Sequence, residues 1–322
     1  MSLIIFDMDG VIVNVSGSYR EAARRTAQTF LSFLANADQL PRPLFTLEDL
    51  AFVKQSGGLN NDWDLTYKVI DLLANQLTTS ILPQTTADLA QMDATPLALY
   101  LKARPEPLKR LYQEYPLPNG MFAEFYQGDV GGDNIIKQIF QEIYLGEMLY
   151  QDTYGLTAQY VFAPGLIETE TFFLTPDFFD KLKRKHTLAI ATGRPLSEAL
   201  YPLEKHNLRD AFKMLMAHDD CESAAARHRQ ETGATCSFGK PDPYMLDAIS
   251  AQIAKDADAH YFVGDMPDDM LAAKRSPYGF TAIGVTYAAT DAVTAEKILR
   301  DSNADIICKS IKELETLLLE KI

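Results

Sequence analysis

The sequence predicts an α/β protein in which a doubly wound parallel sheet carries an inserted all-helical domain. Three observations support this fold class. The apolar run at 3–6 has the length of a strand and is typical of one buried on both faces of a parallel sheet. Helical patterns with almost no strand signal then fill residues 19–160. After Pro164 and Gly165, short apolar runs alternate with helical segments, as they do in parallel α/β domains.

The helical block is predicted to be an insertion because the strand at 3–6 has no pairing partner nearby in the sequence. That strand must therefore join the sheet formed by the second half of the chain. With 322 residues, the chain is long enough for about two domains. We accordingly expect a core made of residues 1–15 and 164–322, and a helical domain at 16–163.

Between the first strand and the second half, the sequence predicts a short hairpin followed by helices. Residues 11–15 and the Ser16-Gly17-Ser18 turn indicate the hairpin. Apolar residues at near-helical spacing indicate the helices, which a glycine pair and the proline-rich stretch at 105–118 separate. The predicted helices are 19–36, 46–55, 61–77, about 85–102 and 135–150.

The second half is predicted to contain five further strands with helices between them. The strands are expected at 188–191, 214–217, 261–263, 282–285 and 306–308. The helices are expected at 196–206, 243–255, 266–275, 290–301 and 311–321.

Composition excludes several classes of function. The net charge is −14, and neither the helical block nor the rest has the basic excess that nucleic-acid binding requires. Cys221, Cys236 and Cys308 lack the spacing of a zinc site or a disulfide framework. No stretch reaches the roughly 18 apolar residues of a membrane span, and acids near the N-terminus interrupt any signal-peptide pattern. We therefore expect a soluble, cytoplasmic protein that binds neither nucleic acid nor membranes.

Polar residues cluster at the predicted carboxyl ends of the strands, where parallel sheets bind their ligands. Carboxylates gathered there raise one another's pKa unless a cation neutralises them, and Mg²⁺ with its oxygen ligands is the natural choice. A lysine and a hydroxyl could then hold phosphoryl oxygens, while two aspartates of one loop could supply a nucleophile and a proton donor. The residues are Asp7, Asp9, Thr192-Gly193-Arg194, Lys240, Asp265, Asp268 and Asp269.

These residues lie in four motifs that resemble those of the haloacid dehalogenase-like (HAD) hydrolase superfamily. The likeness is strongest to its phosphatases with a helical C1-type cap, such as phosphoglycolate phosphatase-like proteins, whose core is Rossmann-like. The motifs occur in order at 5–11, 191–195, 239–244 and 262–273.

The resemblance implies a role for each core residue. Asp7 would be the nucleophile that forms a phosphoaspartate, and Asp9 the general acid and base. Because members that cleave carbon–halogen bonds lack an acid at that position, Asp9 favours phosphoryl transfer. Thr192 would bind the phosphoryl group and Lys240 would offset charge. Mg²⁺ would sit on Asp7, Asp265 and the backbone carbonyl of Asp9, with Asp269 supporting the metal or Lys240.

Substrate contacts are expected from the second motif and from the helical domain. Gly193 and Arg194 are candidates next to Thr192, although a helix N-terminus would explain the same three residues. The candidates in the helical domain are Tyr19, Arg20, Asn60, Asn61 and Trp63. The alternatives left open there are a helix cap at Asn61 or Asp62, packing of Trp63 in the core of that domain, and a solvated arginine face.

A Mg²⁺-dependent phosphatase acting on a small phosphorylated metabolite is the function that the resemblance implies. A phosphomutase acting on a sugar phosphate would keep the same four motifs, so it remains an alternative. A non-catalytic regulatory or binding protein on this scaffold would be expected to lack a catalytic residue, and none is missing. The apolar stripes of the helical domain could also support a homo-oligomer.

Overall fold

The computed structural model describes residues 2–56, 61–78, 82–254 and 257–322, and the chain forms two compact units. We call Met1–Val15 with Glu170–Ile322 the core unit, and Ser16–Thr169 the helical unit.

The core unit is built on a six-stranded parallel sheet, which confirms the predicted fold class. Its strand order is β5-β4-β1-β6-β7-β8, so β1 lies between β4 and β6. A separate two-stranded ribbon joins β2 to β3. The strands are β1 (Leu3–Phe6), β2 (Val13–Asn14), β3 (Thr171–Phe172), β4 (Thr187–Ala191), β5 (Met214–Met216), β6 (His260–Gly264), β7 (Thr281–Val285) and β8 (Ile306–Cys308).

Strand β1 is completely buried, which explains why its sequence is apolar throughout. Ile4 and Phe6 point into one hydrophobic cluster, whereas Leu3 and Ile5 point into another on the opposite face. The Phe6 ring packs edge-on against Phe179 at a centroid distance of 5.8 Å. Both faces of the sheet are therefore covered, as expected for a parallel sheet.

Helices surround the sheet and form most of the helical unit. In the helical unit they are α1 (Tyr19–Leu31), α2 (Leu47–Ser56), α3 (Asp62–Ala74), α4 (Thr86–Leu89), α5 (Thr95–Ala103), α6 (Pro107–Glu114) and α7 (Ile135–Tyr154). In the core unit they are α8 (Pro176–Leu182), α9 (Leu196–Lys205), α10 (His218–Thr232), α11 (Tyr244–Ile253), α12 (Pro267–Arg275), α13 (Ala292–Asp301) and α14 (Ile311–Thr316). None of the helices in the described ranges is long and apolar enough to cross a membrane.

Helices α6, α8 and α10 lie where no helix was predicted, and one predicted helix is two. The proline-rich stretch contains α6, because Pro107 occupies the first turn, where no backbone N–H is required. Helix α10 buries only Cys221 and Ala224, so it has no apolar periodicity to detect. The single helix predicted at about 85–102 is two, α4 and α5, because the Asp93 carboxylate accepts from the Thr95 N–H and starts a new helix.

The predicted local hairpin at 11–15 is wrong. Strand β2 pairs instead with β3, with Val13 opposite Phe172 and Asn14 opposite Thr171. The pairing partner is thus more than 150 residues away in sequence. The chain leaves the core unit after β2 and returns to it at β3.

The second unit boundary lies between Thr169 and Glu170, not between residues 163 and 164 as the sequence suggested. Gly165 packs directly on helix α7, since a Cβ added to it would lie 2.2 Å from the Leu145 carbonyl carbon. The Glu147 N–H also donates to the Ala163 carbonyl oxygen over 3.2 Å. This segment therefore belongs to the helical unit.

Candidate active site

The loop after β1 carries Asp7 and Asp9 at the carboxyl end of the central strand. The Asp7 N–H donates to the Val263 carbonyl oxygen over 2.8 Å, which extends the sheet ladder into the loop. Gly10 has a positive φ of 74°, and a Cβ there would lie 2.2 Å from Asp265 Oδ2. Only glycine fits both requirements, so Gly10 allows the Asp265 carboxylate to approach this loop.

Lys240 bridges two of the carboxylates. Its Nζ lies 2.8 Å from Asp7 Oδ1 and 2.6 Å from Asp269 Oδ1, and the lysine side chain is 12% exposed. An ammonium in this position neutralises part of the negative charge without reaching bulk water.

Asp265 and Asp269 complete an acidic cluster with Asp7. One carboxylate oxygen of each lies within 4.8 Å of the others. Asp269 is fully buried, and its Oδ2 accepts from the Met266 N–H over 2.9 Å. A Cβ on Gly264 would lie 2.3 Å from the Asp269 Cβ, so that glycine makes room for the carboxylate. Asp269 thus contacts Lys240 and also lies close enough to Asp7 and Asp265 to share a metal ion with them.

Burial makes the negative charge of this cluster costly. It raises the pKa of Asp7 to about 7, although the Lys240 ammonium opposes the shift, and the carboxylates of Asp269 and Asp9 add to it. Burial also raises the pKa of Asp265 well above its ordinary value, with Asp269 and Asp7 contributing. Burial would lower the pKa of Lys240, but the carboxylates of Asp269 and Asp7 raise it overall. The cluster thus has the oxygen donors and the uncompensated charge that suit a divalent cation.

Thr192 and Gly193 follow β4. Thr192 is buried, its N–H donates to the Met216 carbonyl oxygen over 3.0 Å, and its Oγ1 accepts from the Arg194 N–H over 3.2 Å. Gly193 is exposed, and a Cβ there would meet nothing within 4 Å. Helix α9 begins at Leu196, as predicted, and Pro195 is its N-cap residue, so the helix N-terminus lies after Thr192, Gly193 and Arg194. The exposed Gly193 backbone is open to a ligand.

Arg194, predicted to contact substrate, is buried and paired within the core unit. Its Nε and Nη2 lie 2.7 Å and 2.6 Å from Asp9 Oδ1. Its Nη1 lies 3.0 Å from Glu170 Oε2. The structure therefore assigns Arg194 contacts with two protein carboxylates.

Two of the candidates in the helical unit have structural roles. Tyr19 is buried and stacks on Tyr144 at a centroid distance of 4.3 Å. The Asn61 side chain caps α3 by accepting from the Trp63 N–H over 2.8 Å.

Two other candidates in the helical unit are at intermediate burial. Arg20 and Trp63 are half-buried, and Lys137 Nζ lies 3.9 Å from the Trp63 ring centroid. Asn60 lies outside the described residues.

Two further residues support the site and were not predicted. Glu170 lies outside all four motifs, and nothing in its local sequence marks it. The Tyr287 hydroxyl donates to the Val11 carbonyl oxygen over 2.6 Å and so supports the loop that carries Asp9. The position of Tyr287 shortly after the end of a predicted strand was the only signal for it in the sequence.

Comparison with known proteins identifies the family. Residues 1–276 match the family model described as haloacid dehalogenase-like hydrolase, so the chain belongs to that family. A curated protein named imidazoleglycerol-phosphate dehydratase, from Phytophthora nicotianae, is 25% identical over 306 residues. That match covers 94% of this chain but only 46% of the relative, so the chain spans about half the length of the curated relative it matches.

Two solved structures share the fold. An X-ray structure of a Northeast Structural Genomics Consortium target has a TM-score of 0.66 at 20% identity, and covers 99% of this chain and 98% of its own. Phosphatase Tt82 from Thermococcus thioreducens has a TM-score of 0.55 at 19% identity, and covers 93% of this chain and 99% of its own. At these identities the likeness concerns the fold.

Proposed function

We propose that the core unit hydrolyses a phosphoric monoester of a small metabolite through a phosphoaspartate on Asp7. The observation that carries this proposal is the buried chain of ion pairs in which Lys240 holds Asp7 at the end of β1, next to Asp265. A carboxylate fixed there can attack a phosphoryl group placed beyond the sheet edge.

The carboxylates of Asp7 and Asp265, together with the Asp9 backbone carbonyl, would hold Mg²⁺. When bound, Mg²⁺ neutralises the charge on the phosphoryl oxygens and on the two carboxylates. Lys240 contributes a second positive charge beside Asp7. The Thr192 hydroxyl and the exposed Gly193 backbone would receive the remaining phosphoryl oxygens.

The reaction would proceed in two displacements at phosphorus. In the first, an Asp7 oxygen bonds to phosphorus, the ester P–O bond breaks, and Asp9 gives its proton to the departing oxygen. In the second, Asp9 takes a proton from a water molecule that attacks phosphorus, and the Asp7–phosphorus link breaks to release inorganic phosphate. Because Arg194 occupies Asp9 Oδ1, the transferred proton would sit on Oδ2.

Phosphate release is the measurement that tests this proposal. We would assay a panel of phosphorylated metabolites with Mg²⁺ and with EDTA, using the wild type and Asp7→Asn. Mg²⁺-dependent release that Asp7→Asn abolishes would support the phosphatase. A requirement for a sugar bisphosphate to start turnover would indicate a phosphomutase instead, and no turnover by folded protein would favour a non-catalytic role.

The named relative adds one compound to that panel. Because the Phytophthora protein is called a dehydratase of imidazoleglycerol phosphate, this ester should be included. Release of phosphate from it would identify a substrate of the proposed reaction. Its consumption without phosphate release would contradict hydrolysis and indicate dehydration.

A further inference from the structure

We propose that Glu170 is a positioning residue for Asp9 and acts through Arg194. This inference rests on the proposed function, in which Asp9 transfers protons. It concerns a residue outside the four motifs, on the segment where the chain re-enters the core unit.

The Arg194 guanidinium contacts a single oxygen of Asp9. Two of its nitrogens, Nε and Nη2, approach Asp9 Oδ1 to 2.7 Å and 2.6 Å. The Nε–H donates to this oxygen and the Nη2 lies beside it, so the planar guanidinium restricts the rotation of the Asp9 carboxylate about its χ angles. Asp9 Oδ2 lies outside this contact, and the side chain of Asp9 remains 32% exposed.

Glu170 anchors the far end of the same guanidinium. Its Oε2 lies 3.0 Å from Arg194 Nη1, and both side chains are only 1% exposed. Arg194 Nη1 also donates to the Glu198 carbonyl oxygen over 3.2 Å. Because the guanidinium is rigid and planar, fixing Nη1 sets the orientation of the Nε–Nη2 edge that faces Asp9.

The backbone fixes Glu170 relative to the catalytic loop. Glu170 immediately precedes β3, which pairs with β2, and β2 begins four residues after Asp9. The Phe173 N–H also donates to the Ile12 carbonyl oxygen over 2.9 Å. Asp9 and Glu170 are therefore linked in two ways: through the backbone by the β2–β3 ribbon, and through the side chains by the two ion pairs of Arg194.

Loss of the anchor should impair proton delivery more than nucleophilic attack. An ester with a poor leaving group needs the proton of Asp9, whereas one with a good leaving group departs largely without it. Among the described residues, Lys240 pairs with Asp7 and Asp269 rather than with Glu170, so a positioning defect should depend on the leaving group. A general structural defect should lower turnover of both esters alike.

The kinetic test compares kcat/KM for phenyl phosphate and for 2,4-dinitrophenyl phosphate, two esters of similar size. In Glu170→Met we expect a loss of about 30-fold with the phenyl ester and less than about threefold with the dinitrophenyl ester. Glu170→Gln, which keeps an acceptor for Arg194, should recover most of the difference. The control Glu142→Gln changes a fully buried glutamate that lies in the helical unit. It should leave the ratio of the two kcat/KM values unchanged.

A second measurement does not depend on turnover. The solvent exchange of the Arg194 Nε–H, followed by NMR and assigned by its loss in Arg194→Lys, should be slow in the wild type. Glu170→Met should accelerate it at least about tenfold. Equal losses with both esters, or unchanged exchange, would overturn the inference. If the wild type hydrolyses neither ester but exchange accelerates, the positioning stands and the proposed function fails.

Discussion

At the scale of the residue, Lys240 is 12% exposed and stands between two carboxylates. It pairs with Asp7 and Asp269, so its ammonium lies between two carboxylates of low exposure. Breaking a buried pair by removing one partner leaves an uncompensated charge, which costs far more than a surface pair is worth.

Lys240→Met should therefore destabilise the protein as well as inactivate it. We expect a loss of about 3–5 kcal/mol in the free energy of unfolding, measured by urea denaturation. The double variant Lys240→Met/Asp269→Asn should recover part of that loss, because the second change removes an orphaned carboxylate. Strict additivity of the two single changes would show that the pair is not coupled.

The raised pKa of Asp7 predicts how the stability of the metal-free protein depends on pH. Asp7 in the folded protein holds its proton up to a pH of about 7, whereas in the unfolded chain it releases the proton near 3.8. The contribution of Asp7 to the free energy of unfolding is therefore fully present below the unfolded pKa and is lost as the pH rises through 7.

In EDTA, the stability of the wild type relative to Asp7→Asn should fall between pH 4 and pH 7. Thermal unfolding of both proteins across this range measures the difference. Added Mg²⁺ should raise the melting temperature of the wild type more at pH 7.5 than at pH 5, since only the ionised cluster binds it well. A wild-type advantage that grows with pH in EDTA would contradict the pKa shift.

At the scale of the element, the turn after β1 depends on Gly10. Its positive φ and its contact with Asp265 impose two separate demands on the same residue. Gly279 in the same unit has a φ of 69° with open space around it, so a substitution there tests the effect of the positive φ alone.

Gly279→Ala should cost about 1–2 kcal/mol for its left-handed backbone. Gly10→Ala should cost at least about 2 kcal/mol more, because its Cβ would displace the Asp265 carboxylate. Urea unfolding gives both values, and Mg²⁺ titration should show weakened binding in Gly10→Ala alone. Equal costs for the two variants would mean that Asp265 moves aside freely.

The start of α3 provides another test at this scale, since the Asn61 side chain accepts from two backbone N–H groups of its first turn. Asn61→Ala should lower the free energy of unfolding by about 1 kcal/mol, while Asn61→Ser should nearly preserve it. If both variants keep wild-type stability but lose turnover, the substrate-contact hypothesis for Asn61 gains over the cap.

Local sequence predicts elements well where one local signal governs them. The strand at 3–6 and the helix at 267–275 follow from apolar runs and turn chemistry, and both appear within a residue of the prediction. Helix α10 and the β2–β3 ribbon were not predicted. Helix α10 buries few of its residues, and the ribbon pairs residues on either side of the insertion.

At the scale of the whole molecule, the core unit should fold without the helical unit. Its sheet is continuous, and the hydrophobic clusters on its two faces consist of core-unit residues. Val15 and Glu170 follow and precede the paired residues Asn14 and Thr171, so a two-residue turn can join them.

A chain with Val15 joined to Glu170 through Asn-Gly should unfold cooperatively in urea and bind Mg²⁺ about as tightly as the full chain. Circular dichroism and calorimetry would measure these properties. The Gly10→Ala version of the shortened chain serves as its binding control. A shortened chain without cooperative unfolding would show that the core unit needs the helical unit.

The sequence by itself determined the fold class, the family and the residues at the strand ends. Such features follow from local patterns: a buried strand is apolar, and motif residues keep their spacing along the chain. Only the tertiary structure decided that Arg194 faces Asp9 and Glu170, that Asp269 holds Lys240, and that Tyr19 and Asn61 pack and cap. These contacts join residues distant in sequence or depend on which way a side chain turns, and burial and charge pairing settle both only once the chain has folded.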